Sequence, residues 1–106
     1  MASTVAAGGL LLKDPAGVNV LWFNWTDYLA NLVSVQTIAT PTFTITGPDA
    51  VLTADQVLAV DSNRQAQVRL TGGTLGAKYT VTSRIVTNGV PAETEERSII
   101  VLIQDL

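Results

Sequence analysis

The chain contains neither cysteine nor histidine. Without cysteine there is no disulfide framework, and the redox compartment leaves no mark on the sequence. Without either residue, Ser–His and Cys–His nucleophilic catalysis and N/S-ligated zinc sites are excluded. Charge is also scarce: 14% of the 106 residues are charged, against 47% hydrophobic, and the net charge is −3. Such a surface must be covered largely by Thr, Ser, Asn and Gln. The six Lys and Arg residues are scattered, so no basic patch for nucleic acid can be assembled. No apolar run approaches the ~18 residues of a membrane-spanning helix. The stretch from Met1 to Leu12 is apolar but carries no Lys or Arg ahead of its apolar part, so it fails as a secretory signal peptide. What remains at this length is one globular domain around one core, with no cofactor, nucleic acid or membrane expected as a partner.

The clearest pattern lies near the C-terminus. Ala77 to Val86 and Glu96 to Ile103 are two runs rich in β-branched residues, and Asn88-Gly89 followed by Pro91 supplies the turn between them. In the first run Tyr79, Val81 and Ile85 share a face opposite Thr80, Thr82 and Arg84. The second does not alternate: Ile99, Val101 and Ile103 make one apolar face, and Ile100 and Leu102 make the other apolar too. A strand of a small antiparallel domain normally keeps one wet face.

Taken from the start, Ala6-Ala7-Gly8-Gly9 reads as flexible and Leu10-Leu11-Leu12 as an apolar cluster, together an arm that either tucks against its own domain or pairs with a neighbour. Lys13 to Gly17 reads as a turn. Val18 to Trp25 predicts a strand with Leu21, Phe23 and Trp25 in the core, and Thr26 is placed to cap a single helical turn. Leu32 to Ile38 is a weaker strand candidate. Pro41 to Thr46 alternates with Phe43 and Ile45 inward, and Gly47-Pro48-Asp49 makes a turn. Ala50 to Ala54 reads as loop or short strand. Gln56 to Val60 and Gln65 to Leu70 predict a hairpin around Asp61 to Arg64, with Ala66, Val68 and Leu70 inward; Thr71 to Gly76 is a Gly-rich connection. About seven short strands with regular turn signals and almost no helix predict an immunoglobulin-like antiparallel β-sandwich. Residues 1–12 are expected as an N-terminal arm and 13–106 as the domain. The expected core is Leu21, Phe23, Trp25, Phe43, Ile45, Val68, Tyr79, Val81, Ile85, Ile99 and Val101.

Candidate chemistry is sparse. Asp49, Asp55 and Asp61 are spaced six apart across loops, and Glu93, Glu95 and Glu96 cluster near the last turn, but the alternating ligands of a Ca²⁺ loop are absent, and turn and surface roles account for them. Thr71 to Gly76 lacks the Gly-Lys-Ser/Thr ending of a phosphate loop and precedes a strand, not a helix. Trp22, Trp25 and Tyr28 are a candidate sugar-stacking set, though aromatics at strand positions are more often core. The apolar surplus is more telling. Ile100 and Leu102 are either covered by a loop or the N-terminal arm, or form a subunit interface; Leu10, Leu11 and Leu12 add a second surplus and favour the interface.

Four blocks carry a resemblance: Lys13-Asp14-Pro15, Phe23 to Ala30, Leu70 to Ile85, and Glu96-Arg97-Ser98. In this order they resemble the small Ig-like fiber–tail adaptor family of tailed bacteriophages, over most of residues 13–103. Asn24 stands where the family pattern has Asp, Thr26 for Ser, Tyr28 for Trp and Ser83 for Asn; the stretch from Pro48 to Arg64 is longer, and the outer face of the last strand, usually polar, carries Ile100 and Leu102. The resemblance implies a non-enzymatic virion structural protein of the neck or tail, assembled in the host cytoplasm. It would bridge portal and tail connector proteins to tail fiber or collar proteins, with sibling subunits in a symmetric ring. A carbohydrate-binding or adhesive Ig-like module, and a head–tail completion or tail tube-associated protein, are the alternatives.

Overall fold

Alternation of large apolar with polar residues builds two facing sheets. The computed structural model describes residues 3–5 and 9–106; the expected flexibility of Ala6-Ala7-Gly8 lies outside the described residues. The elements are β1 (Ser3–Val5), β2 (Leu10–Lys13), β3 (Val18–Asn24), α1 (Thr26–Ala30), β4 (Ile38–Thr46), β5 (Thr53–Val60), β6 (Gln65–Thr71), β7 (Lys78–Thr87) and β8 (Thr94–Ile103). One sheet has the order β1-β3-β6-β5 and the other β2-β8-β7-β4, an all-β sandwich with one short helix.

The core lies between the sheets. On β3, Leu21 and Phe23 turn inward and Trp25 follows them; β6 contributes Ala66, Val68 and Leu70 in strict alternation. From the facing sheet come Tyr79, Val81 and Ile85 of β7 and Ile99, Val101 and Ile103 of β8, all buried. Phe43 and Ile45 are only half-buried, because β4 is an edge strand with no neighbour on one side. They still pack on the core, Phe43 meeting Phe23 edge-on across the sheets at 5.3 Å between ring centroids.

Several local expectations are corrected. Leu32 to Ile38 is not a strand: it is a loop, with Val33 and Val35 exposed, and β4 begins only at Ile38. Its apolar residues keep no fixed period, and its backbone is satisfied elsewhere, by Asn88 on Thr37 and by the Ile38 N–H on the Asn63 carbonyl. Thr26 does not cap α1; it is the first helical residue, and its N–H donates to Asn24 Oδ1 at 3.0 Å. Asn88-Gly89 is not a tight two-residue turn, because β7 and β8 are separated by Asn88 to Glu93. Asn88 is instead engaged with the neighbouring loop, accepting from Thr37 N–H and donating its own N–H to the Thr37 carbonyl. At the β5–β6 turn Asp61, Ser62 and Asn63 all have left-handed φ, and Thr53 and Ala54 belong to β5.

The N-terminal segments add to sheet edges. β1 runs parallel to β3, Ser3 opposite Leu21, and β2 runs parallel to β8, Leu10 opposite Ile100 and Leu12 opposite Leu102. The β2 strand continues through the boundary expected between residues 12 and 13, and it lies beside β8, not over its outer face.

Candidate interaction surface

Parity along β2 and β8 decides which apolar residues meet. Leu10, Leu12, Ile100 and Leu102 point away from the core on adjacent strands in register, so the β2 strand extends the apolar face of β8 instead of covering it. Leu10 is 61% exposed, Leu12 44% and Ile100 36%, enough to leave a continuous apolar patch in solvent. Leu11 does not belong to it: it pairs with buried Val101 and packs on the core. Across β7 the same outer face continues with Lys78, Thr80 and Thr82, and on β4 with Thr42, Thr44 and Thr46. A patch of four branched apolar side chains thus borders a field of threonines.

Below the patch, one end of the sandwich is held by Lys13, which is fully buried. Its ammonium donates to the carbonyls of Gly17 and Gly72, each at 2.6 Å, and of Asp14 at 3.0 Å. Burial pushes the Lys13 pKa down, and the Asp14 carboxylate opposes that. Asp14 accepts from the N–H groups of Ala16 and Leu106, tying the chain's last residue to this turn. Beside it Tyr79 donates its hydroxyl to Asp49 and accepts the Thr74 N–H, while Thr74 Oγ1 also donates to Asp49 at 2.7 Å. The Tyr79 hydroxyl, then Thr74 and the Val51 N–H, hold the Asp49 carboxyl below the usual carboxylate range. Gly73 has φ +112°, and a Cβ there would stand 2.5 Å from Ile103 Cδ1.

At the other end Trp25 is the hub. Its Nε1–H reaches Ser83 Oγ at 3.3 Å, Tyr28 meets it edge-on, and Arg97 lies over its face. Burial, then the charges of Glu93 and Glu95, push the Tyr28 phenol up. The loops here are stitched together: Thr87 Oγ1 donates to Gln36, Glu93 N–H donates to Thr87 Oγ1, and the Thr87 N–H donates to the Glu93 carbonyl. Yet Val33 and Val90 stand fully exposed on them. Val33 falls inside the stretch expected as a strand, and Val90 is a single valine with no periodic signal; its place directly before Pro91 is the available hint.

The suspected reactive groups do not come together. Asp49 serves Tyr79, Asp55 pairs with Arg69 and Asp61 accepts from Gln65. Among the described residues no three metal-ligating side chains converge. Gly72, in the Gly-rich connection, uses its carbonyl to receive Lys13, and a strand follows. Trp22 is on the outer side of β3, bonded to Gln67, whereas Tyr28 packs on buried Trp25, so the three aromatics form no common stacking platform.

The pattern of the family described as Podophage GP4 fiber-tail adaptor protein gp77 matches residues 13–102. The chain belongs to this family. It is therefore of a phage structural kind, a fiber-tail adaptor associated with tail components and fibers as part of the virion. No curated protein gives a match. Among solved structures, one described as "Solution Structure of Amebosin" aligns with 97% of this chain and 96% of that one, at 12% identity and a TM-score of 0.39.

The adaptor's matching blocks are its ties. Lys13-Asp14-Pro15 meets the Gly72 carbonyl, and Thr74 meets Tyr79 at the same end. Asn24 and Trp25 meet Arg97 at the opposite end, where Tyr28 packs on Trp25, and Ser98 Oγ bonds Thr82 Oγ1 at 2.8 Å. The four separated sequence blocks thus encode architecture.

Proposed function

We propose that this chain is a non-enzymatic adaptor in the neck or tail of a podophage particle, linking the portal–tail connector to fibers or a collar. One observation carries the reading: Leu10, Leu12, Ile100 and Leu102 form an open apolar patch on a sandwich whose core is already closed beneath it. An adaptor needs faces, not a reaction centre, and exposed apolar area is the usual mark of a face that meets another protein. The sandwich is immunoglobulin-like in this reading, since β3-β6-β5 and β4-β7-β8 follow the B-E-D and C-F-G orders of constant-type domains, with the arm's β1 and β2 added beside β3 and β8. Residues 1–12 are then an appended arm on a domain of residues 13–106, its Leu10–Leu12 part docked along β8. Copies assemble in the host cytoplasm and join the particle as a set around its axis.

The test is deletion of the gene in the phage followed by cryo-EM of the particles. Capsids with a connector but without fibers are expected, and the intact protein should appear as density at the neck or tail. Fully fibered particles from the deletion would overturn the reading.

A further inference from the structure

Two exposed apolar surfaces lie at opposite ends of the sandwich, and they differ in charge. The outer-face patch is flanked by Lys78, which stands opposite Leu102 across β7 and β8. The loop end presents Val33 and Val90, and Glu93 lines the same cleft with them and Pro91. Neither Lys78 nor Glu93 has an ion-pair partner among the described residues, where Arg69–Asp55 is the one pair formed. β8 starts beside Glu93 and reaches Leu102 eight residues on, which at the rise of a strand separates the two surfaces by about 25–30 Å. They cannot cover each other within one copy.

The loop end is also held in place. Thr87 bonds both Gln36 and Glu93, and Asn88 bonds Thr37 twice, so Val33 and Val90 are presented on tied loops. A pre-ordered surface loses little entropy on docking. One surface is therefore apolar with a carboxylate, and the other apolar with an ammonium.

We propose that the loop end of one copy docks on the outer-face patch of a second copy. Val33 and Val90 meet Leu10, Leu12, Ile100 and Leu102, and Glu93 approaches Lys78. The contact joins different surfaces on its two partners, so it is heterologous and propagates into a ring or an open filament. It deepens the adaptor reading and rests on it only for the setting in which copies stand side by side.

The absence of cysteine makes the test clean, since introduced thiols are the only ones in the chain. Val90→Cys and Ile100→Cys are made separately in the full-length chain and oxidised alone and mixed, in solution and in purified particles carrying both variants. A mixed disulfide dimer is expected only when both variants are present. Glu93→Lys should lower its yield on the order of tenfold, and adding Lys78→Glu should restore it. A disulfide dimer of either variant alone, which signals a like-with-like contact, overturns the proposal, as does the lack of a mixed disulfide in both settings. Fibered particles that contain the chain but give no mixed disulfide would sink this contact and leave the adaptor role standing. Particles that never contain the chain would sink that role itself.

Discussion

The guanidinium of Arg97 lies 4.3 Å from the ring centroid of Trp25 and donates to the Asn24 carbonyl at 2.8 Å. One residue near the start of β8 thus clamps the chain where β3 turns into α1. A cation over an indole contributes about 0.5–2 kcal/mol, and the bond to the carbonyl adds to it. Arg97→Ala is expected to lower unfolding stability by about 1–2 kcal/mol in a urea titration with unchanged slope. Arg97→Lys should recover only part, because an ammonium cannot stack its plane on the ring. A wild-type midpoint for Arg97→Ala would show the clamp to be energetically idle.

Trp25→Ala removes the largest buried side chain, with its bond to Ser83 and its packing against Tyr28. The cost should be about 3–5 kcal/mol, the range for emptying a large aromatic site. An unchanged melting temperature would refute the placement of Trp25 at the centre of this end of the core.

The same residues show how far the sequence could be read. Period-two alternation made Leu21, Phe23, Val68, Tyr79 and Val101 legible, because a strand pairs parity with burial. It could not separate the half-buried Phe43 from them, since edge position is set by which strands meet in space. The loop from Leu32 to Thr37 misled because its β-branched residues favour strands while its hydrogen bonds go to Asn88 and not to a ladder. Ile100 and Leu102 stood out as surplus, yet that Leu10 and Leu12 join them follows only from the parallel register of β2 on β8. The role of Lys13 was hidden for the same reason: its acceptor on Gly72 is 59 positions away.

Lys13→Met keeps much of the side-chain length and deletes the three donated bonds. Carbonyls at the Gly17 and Gly72 positions then lose a charged donor in a half-buried site. The expected loss is on the order of 2 kcal/mol, since an unsatisfied buried acceptor costs about 1–3 kcal/mol. Thermal unfolding of the variant checks this; equal stability would show that water replaces the ammonium without cost.

Acid should loosen the same end. Asp49 has a folded pKa below its ordinary 3.8, first because Tyr79 donates to it. A depressed carboxyl pKa stabilises the fold fully above the unfolded value, and that contribution fades as pH falls below 3.8 through the folded value. Asp14 and Asp55 shift the same way, through the N–H groups of Ala16 and Leu106 and through Arg69. Unfolding midpoints should therefore be flat from pH 5 to 7 and drop below about pH 4. Tyr79→Phe should shallow that drop, because Asp49 loses its main reason to stay ionised. A parallel drop in both proteins would assign the acid sensitivity to the other carboxylates.

Replacing Ile100 and Leu102 together by Thr separates folding from assembly. The outer faces of β7 and β4 already carry Thr80, Thr82, Thr42 and Thr44, so threonine suits this surface and keeps the β-branched preference of a strand. Ile100 is partly in solvent and Leu102 lies on the same outer side, whereas the core contacts of β8 come from Ile99, Val101 and Ile103. Stability should change by no more than about 1 kcal/mol. Incorporation into particles, measured by quantitative immunoblot of purified virions, should fall sharply, because burial of this patch against a neighbouring copy is what the substitution removes. A double variant that unfolds on its own would mean that the face supports the isolated domain. Normal stability with normal incorporation would mean that the particle is met through another surface, and the exposed loop end is where that search would begin.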